Sequence, residues 1–191
     1  MNPNEFIETY NSTQNEFIYF KWNGKHANEL VDENIHFRRE LIKYIESIDF
    51  NNIPGELLRD LIVAESQYAK EAWGIYRYYY LMVEKLLNQT GYQYLDDIVI
   101  SGSLCFDTYC STLRANPSEL DFDVFITEIN KRKEISQNEL MLKAYDIGIA
   151  MYTGYMSRQS HINDESDIGF RNTKTSILLK LKKNLAKYFK S

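Results

Sequence analysis

Two short stretches of this chain hold residues of the kinds that do chemistry together: Gly102-Ser103 and, further on, Asp121-Phe122-Asp123. A Gly-Ser turn brings backbone N–H groups and a hydroxyl close to phosphate oxygens. A pair of carboxylates can hold a hard cation that bridges those oxygens. The other reactive side chains are scattered. His26, His36 and His161 show no His-x-x-x-His spacing, and no Cys-x-x-Cys accompanies them, which argues against zinc. Ser101, Ser103 and Cys105 have no histidine nearby in sequence, and the chain holds no glycine-rich phosphate loop or nucleophile elbow.

The combination of Gly102-Ser103 with Asp121-Phe122-Asp123 resembles the nucleotidyltransferase superfamily. There a Gly-Ser turn after a strand holds nucleotide phosphates, and a later Asp-x-Asp on a strand binds Mg²⁺. The resemblance implies Gly102 and Ser103 facing a triphosphate, with Asp121 and Asp123 on the metal. The local pattern leads elsewhere. Asn116-Pro117-Ser118-Glu119 reads as a helix start, with Asn as cap and Pro at the first helical position. Positions 121 and 123 then lie on different faces of a helix and serve as first-turn acids that complement its dipole. On this reading the chain has no catalytic set, no metal and no cofactor, and Mg²⁺-dependent nucleotidyl transfer is the alternative function.

The element that must position everything else runs from Leu57 to Leu87, with no proline. Leu58, Leu61, Ile62, Tyr68, Ala69, Ala72, Tyr76, Tyr79, Tyr80, Val83, Leu86 and Leu87 recur in steps of three and four. Such spacing predicts one amphipathic helix of roughly 45 Å. Glu65 sits on its apolar stripe, so it is expected at a wet edge or paired with a base. Asn88–Gly91 should end the helix, with Gly91 in the left-handed position.

Helices are predicted on either side of it. One runs over 33–48, capped by Asp32 or Asn34. Another covers 94–113, where a strand and turn is the competing reading. A third opens at Asn116-Pro117 with Phe122, Phe125, Ile126 and Ile129 inward. Ser136-Gln137-Asn138-Glu139 reads as a capping box for a helix striped by Leu140, Ala144, Ile147, Met151 and Tyr155. Gln159–Asp167 reads as a polar loop, and a basic helix over 171–191 packs on the rest. Residues 1–31 form an arm in which Glu16–Trp22 lies across the helices or makes a short strand. The fold class is therefore all-α, a single-domain bundle of five or six helices around the 57–87 rod.

Composition bounds the function class. The chain has 191 residues, 44% hydrophobic and 26% charged, which suits one folded domain. Met1–Asn15 carries no apolar run, and nothing approaches the roughly 18 apolar residues of a membrane span. With two cysteines too, a cytoplasmic protein with free thiols and no membrane contact is expected. Net charge is −5, yet residues 171–191 carry seven Lys/Arg and no acid, so −5 less +7 leaves −12 over residues 1–170. An acidic body disfavours nucleic acid and favours a basic partner. The 15 tyrosines offer rings with polar tips for contact surfaces. The expected function is a non-enzymatic interaction protein, a bacterial immunity or antitoxin-type inhibitor of a basic toxin domain. Its partner-binding residues are expected to be Tyr78, Asp96, Asp97 and Asp107. A structural or oligomeric helical protein, homodimer included, is the further alternative.

Overall fold

The computed structural model describes residues 2–48 and 53–164, and the expected basic helix over 171–191 lies outside them. All regular secondary structure among the described residues is helical. The α-helices are α1 (Pro3–Thr9), α2 (Ile35–Ser47), α3 (Gly55–Ala72), α4 (Tyr79–Thr90), α5 (Leu95–Ser103), α6 (Phe106–Thr112), α7 (Phe122–Ile135) and α8 (Glu139–Asp164). No helix among them is long and apolar enough to cross a membrane. The chain divides into two compact units, residues 1–152 and 153–191. Of the second, only 153–164, the last part of α8, is described, so the polar stretch from Gln159 to Asp164 is helix and not loop.

The rod predicted over 57–87 is broken. Helix α3 ends at Ala72, and Trp73 takes left-handed backbone angles of φ 56° and ψ 39°. The chain resumes at α4 and folds back on α3. A Cβ on Gly55, the first residue of α3, would lie 2.7 Å from Thr90 Cγ2 at the end of α4, so the two helices run antiparallel. Burial is the cause. An unbroken rod leaves much of its stripe without a partner, whereas the hairpin buries Leu58, Leu61, Ile62, Met82, Val83 and Leu86 together. Each such side chain contributes about 1.5–3 kcal/mol, against roughly 1–3 kcal/mol for one strained residue.

Helix α3 also packs on α5 and α6. The 94–113 stretch is helical but interrupted at Leu104, with Cys105 extended ahead of α6. Its Thr108 hydroxyl closes the turn by accepting from Cys105 N at 3.1 Å and donating to Gly102 O at 3.3 Å. In α8, Gly148 lets the backbone approach α5 and α7, where an added Cβ would meet Val99 at 3.0 Å and Ile129 at 3.2 Å. Leu140 departs from the expected inward stripe and is exposed. Capping of α8 falls to Asn138, whose Oδ1 accepts from Leu140 N and Met141 N; Ser136 is not the cap.

The N-terminal arm is not a strand. It comprises α1, a 3-10 turn over Ser12–Phe17, and an extended stretch with one isolated bridge, Trp22 to Asp32. What fastens it is a charged node with no solvent exposure. Arg38 Nε donates to Glu65 Oε1 at 2.7 Å, Nη2 to Asp32 Oδ2 at 2.6 Å, and Nη1 to Ile18 O at 3.2 Å. Glu65 is thus paired inside the protein, one of the two expected outcomes. Asp32 Oδ1 accepts from Lys21 N and Asn34 N, both at 3.1 Å. The Asn34 amide donates to Glu16 O and Tyr19 O, which is why it does not cap α2 with its side chain. Removing one partner of a buried ion pair leaves an uncompensated charge and costs about 3–5 kcal/mol. Arg38→Met should therefore lose at least that much in urea unfolding. Adding Asp32→Asn and Glu65→Gln to it should restore more than half, because no stranded charge remains.

Candidate functional site

The connection from Trp73 to Tyr78 reads Trp-Gly-Ile-Tyr-Arg-Tyr, rich in side chains of the kinds that form contacts. Trp73 is 91% exposed, the most exposed large apolar side chain among the described residues. Its backbone is in the left-handed region, where a non-glycine residue is disfavoured, and its ring gains nothing from burial. The left-handed residue ends α3, and its exposed ring is left available at the surface.

Beyond Trp73 the chain turns into an open pocket of about 660 Å³, lined by Arg39, Lys43 and Glu46 from α2 and by Tyr76, Arg77 and Tyr78. Arg77 lies over the Tyr78 ring at 4.1 Å from its centroid. Arg39 lies over Tyr68 at 4.7 Å and Tyr76 at 5.9 Å. Tyr76 and Tyr78 meet edge to face at 6.0 Å. The Tyr76 hydroxyl donates to Glu46 Oε2 at 3.5 Å, and burial pushes the Glu46 carboxyl above its usual range. Stacking on tyrosine holds each guanidinium plane and leaves its N–H edges for an acceptor.

The four residues expected to bind a partner do not converge. Tyr78 is not on the outer side of a long helix; it precedes α4 and lines this pocket. Asp96 is a fastening residue, accepting from Arg132 Nη1 at 3.0 Å and from the Tyr145 hydroxyl at 2.6 Å, which joins α5 to α7 and α8. Asp97 borders a separate pocket of about 350 Å³ with Ser66, Gln67 and Lys70, and burial raises its carboxyl. Asp107 lies in the first turn of α6. Sequence reading missed Trp73, Arg77, Arg39 and Lys43. A signal was available: Trp73 is a large aromatic off the α3 stripe and beside a glycine, a combination that marks a helix end.

The nucleotidyltransferase-like residues take ordinary helical roles. Gly102 and Ser103 close α5, and the Ser103 hydroxyl donates to Ile100 O at 2.8 Å. Asp121 is the cap of α7, its Oδ1 accepting from Asp123 N and Val124 N. Asp123 Oδ1 accepts from the Tyr152 hydroxyl at 2.8 Å. Helix α7 begins at Phe122 and not at Asn116-Pro117. That loop is stapled to α4 instead, Asn116 N donating to Glu84 Oε2 at 3.0 Å and Glu119 N to Asn88 Oδ1 at 3.1 Å. The strands on which the resemblance depends are absent among the described residues, as is any group of three or more His, Cys, Asp and Glu able to hold a metal.

Asp96 and Asp107 separate the structural acids from the surface ones. Asp96→Ala removes the acceptor that the Tyr145 hydroxyl shares with Arg132, which keeps Glu128 and Tyr92 O, and should cost about 1–3 kcal/mol in chemical denaturation, whereas Asp107→Ala should stay within about 0.5 kcal/mol. No family model, curated protein or solved structure matches this chain.

Proposed function

We propose that this protein acts by binding another protein and not by catalysis, as an immunity or antitoxin-type inhibitor of a basic toxin domain. The observation that carries the reading is Trp73, an exposed aromatic held in a strained conformation beside Tyr76, Arg77 and Tyr78. Trp, Tyr and Arg are the residue types that dominate the energetics of protein interfaces, where a few anchors supply most of the affinity. The net −12 over residues 1–170 adds long-range attraction for a basic partner, which speeds encounter more than it tightens the complex. Attraction and anchoring are thus separate: charge spread over the body draws the partner in, and the α3–α4 connection holds it. A bundle in which α3 and its neighbours serve only to present this connection is the architecture that goes with the proposal.

The two contributions come apart in one experiment. Trp73→Gly removes the strain and exposes no new core, so thermal stability should hold or rise by up to about 1 kcal/mol. Capture of the partner from lysate of the source cell should weaken at least about tenfold, equal to about 1.4 kcal/mol. Added salt should slow association of the unsubstituted protein, and co-expression should neutralise the captured toxin. A partner retained equally by Trp73→Gly, or a preparation that yields only a self-dimer, would refute the inhibitor reading and favour the structural one.

A further inference from the structure

The pocket beside the α3–α4 connection has a charge pattern that capture of a basic protein does not explain. Arg39 and Lys43, one turn apart on α2, face Arg77 across it, three cations on a body whose acids are in excess. Lys43 and Arg77 make no close salt bridge with a described residue, although both act electrostatically on Glu46. The nearest carboxylate oxygen to the Arg39 guanidinium is Glu65 Oε2 at 3.6 Å, and Arg39 Nε is buried without a hydrogen bond among the described residues. Burial of an unanswered donor costs about 1–3 kcal/mol, so an acceptor supplied from outside would be well received.

Two acids also border the pocket, and their state matters. Glu40 is exposed and free to turn to solvent. Glu46 is held by the Tyr76 hydroxyl, and its Oε1 is buried without a hydrogen bond among the described residues. Its carboxyl is the one there whose proton affinity burial raises. Three cations against these two acids leave the pocket lining net positive, with Arg39 and Arg77 lying over tyrosine rings along the wall. A fork of in-plane N–H groups matches the oxygens of a tetrahedral dianion better than a single carboxylate, and a lysine adds a point charge.

We propose that Arg39, Lys43 and Arg77 form a binding site for a phosphate monoester carried on a flat ring, with Tyr76 and Tyr78 as the surface against which the ring lies. The group has two sources, a free ring-bearing phosphate such as a nucleoside monophosphate, or a phosphotyrosine side chain of a peptide. Both present the same dianion and ring to the pocket.

The test is an NMR titration of the ¹⁵N-labelled full chain with phenyl phosphate as probe. Saturable shifts confined to residues 39–46 and 73–78 are expected. Inorganic phosphate, which lacks the ring, should bind at least about tenfold more weakly. Lys43→Gln with Arg77→Gln should weaken phenyl phosphate by about tenfold or more while leaving the rest of the spectrum in place. Arg77→Lys, which keeps charge but loses the fork, should fall between. Parallel titrations with adenosine monophosphate and with a short phosphotyrosyl peptide identify the source, the tighter of the two being the one the pocket suits. Several results would overturn the assignment: no shifts at millimolar probe, shifts centred elsewhere, equal affinity for inorganic phosphate, or a double variant that binds as before. None of these bears on Trp73, so a failed titration leaves the partner-binding reading standing, and a failed capture leaves the pocket standing.

Discussion

One guanidinium holds the first third of this protein together. Arg38 gives its N–H groups to carboxylates before and after it in sequence, Asp32 and Glu65, and to a carbonyl of the arm, Ile18 O. The arm is further held by α1 against α2, by the Tyr10 hydroxyl donating to Asp60, and by the Asn34 amide donating to Glu16 O and Tyr19 O. Two carboxylates around one arginine amount to an excess negative charge inside the protein. Glu65 Oε2 reaches toward a second base, Arg39, at 3.6 Å. That is the structural reason Arg39 stands where it does, between a buried carboxylate and an open pocket. A buried ionic cluster of this kind is weak evidence for stability, since apolar replacement is often neutral or better. What it does fix is which carbonyls of the arm lie against α2.

The α3–α4 hairpin shows where periodicity stops being informative. A stripe with a period near 3.6 is the same whether the helix is continuous or folded back on itself, because both halves face the same core. Leu61 and Val83 fall on one stripe by spacing, and both are buried in the hairpin. Only the residues off the stripe distinguish them, and these are Trp73 and Gly74. The helical character of 94–113 and of the segment after Asp121 was legible for the same reason; Gly91 does end α4 with a positive φ of 55°, but its ψ of −121° is not that of the left-handed helical cap expected there. The α1 helix was not foreseen in the N-terminal arm, although the Asn2 side chain caps it by accepting from Asn4 N.

The candidate site was less legible, and the cause is chemical. Acids look alike in a sequence, yet Asp96 is committed to Arg132 and Tyr145 while Asp107 stands in the first turn of α6. Which acids are committed depends on residues 36 and 49 positions away, a range over which no local pattern reports. The basic pocket is hidden in the same way. Arg39, Lys43 and Arg77 are separated by up to 38 positions and are unremarkable one at a time. Tyr78 was singled out for its ring and does lie there, but on a loop that the sequence presented as helix.

The Arg38 node also orders events in time. Its two acids straddle the chain, with Asp32 available early and Glu65 only after α3 has been made. During synthesis the N-terminal segment can pair Arg38 with Asp32 but cannot complete the cluster. Domains emerge N-terminus first, at about 5–20 residues per second, so closure waits a few seconds for the second carboxylate. The arm is thus fastened by a cluster whose last member lies on α3, and it locks only once that helix is in place.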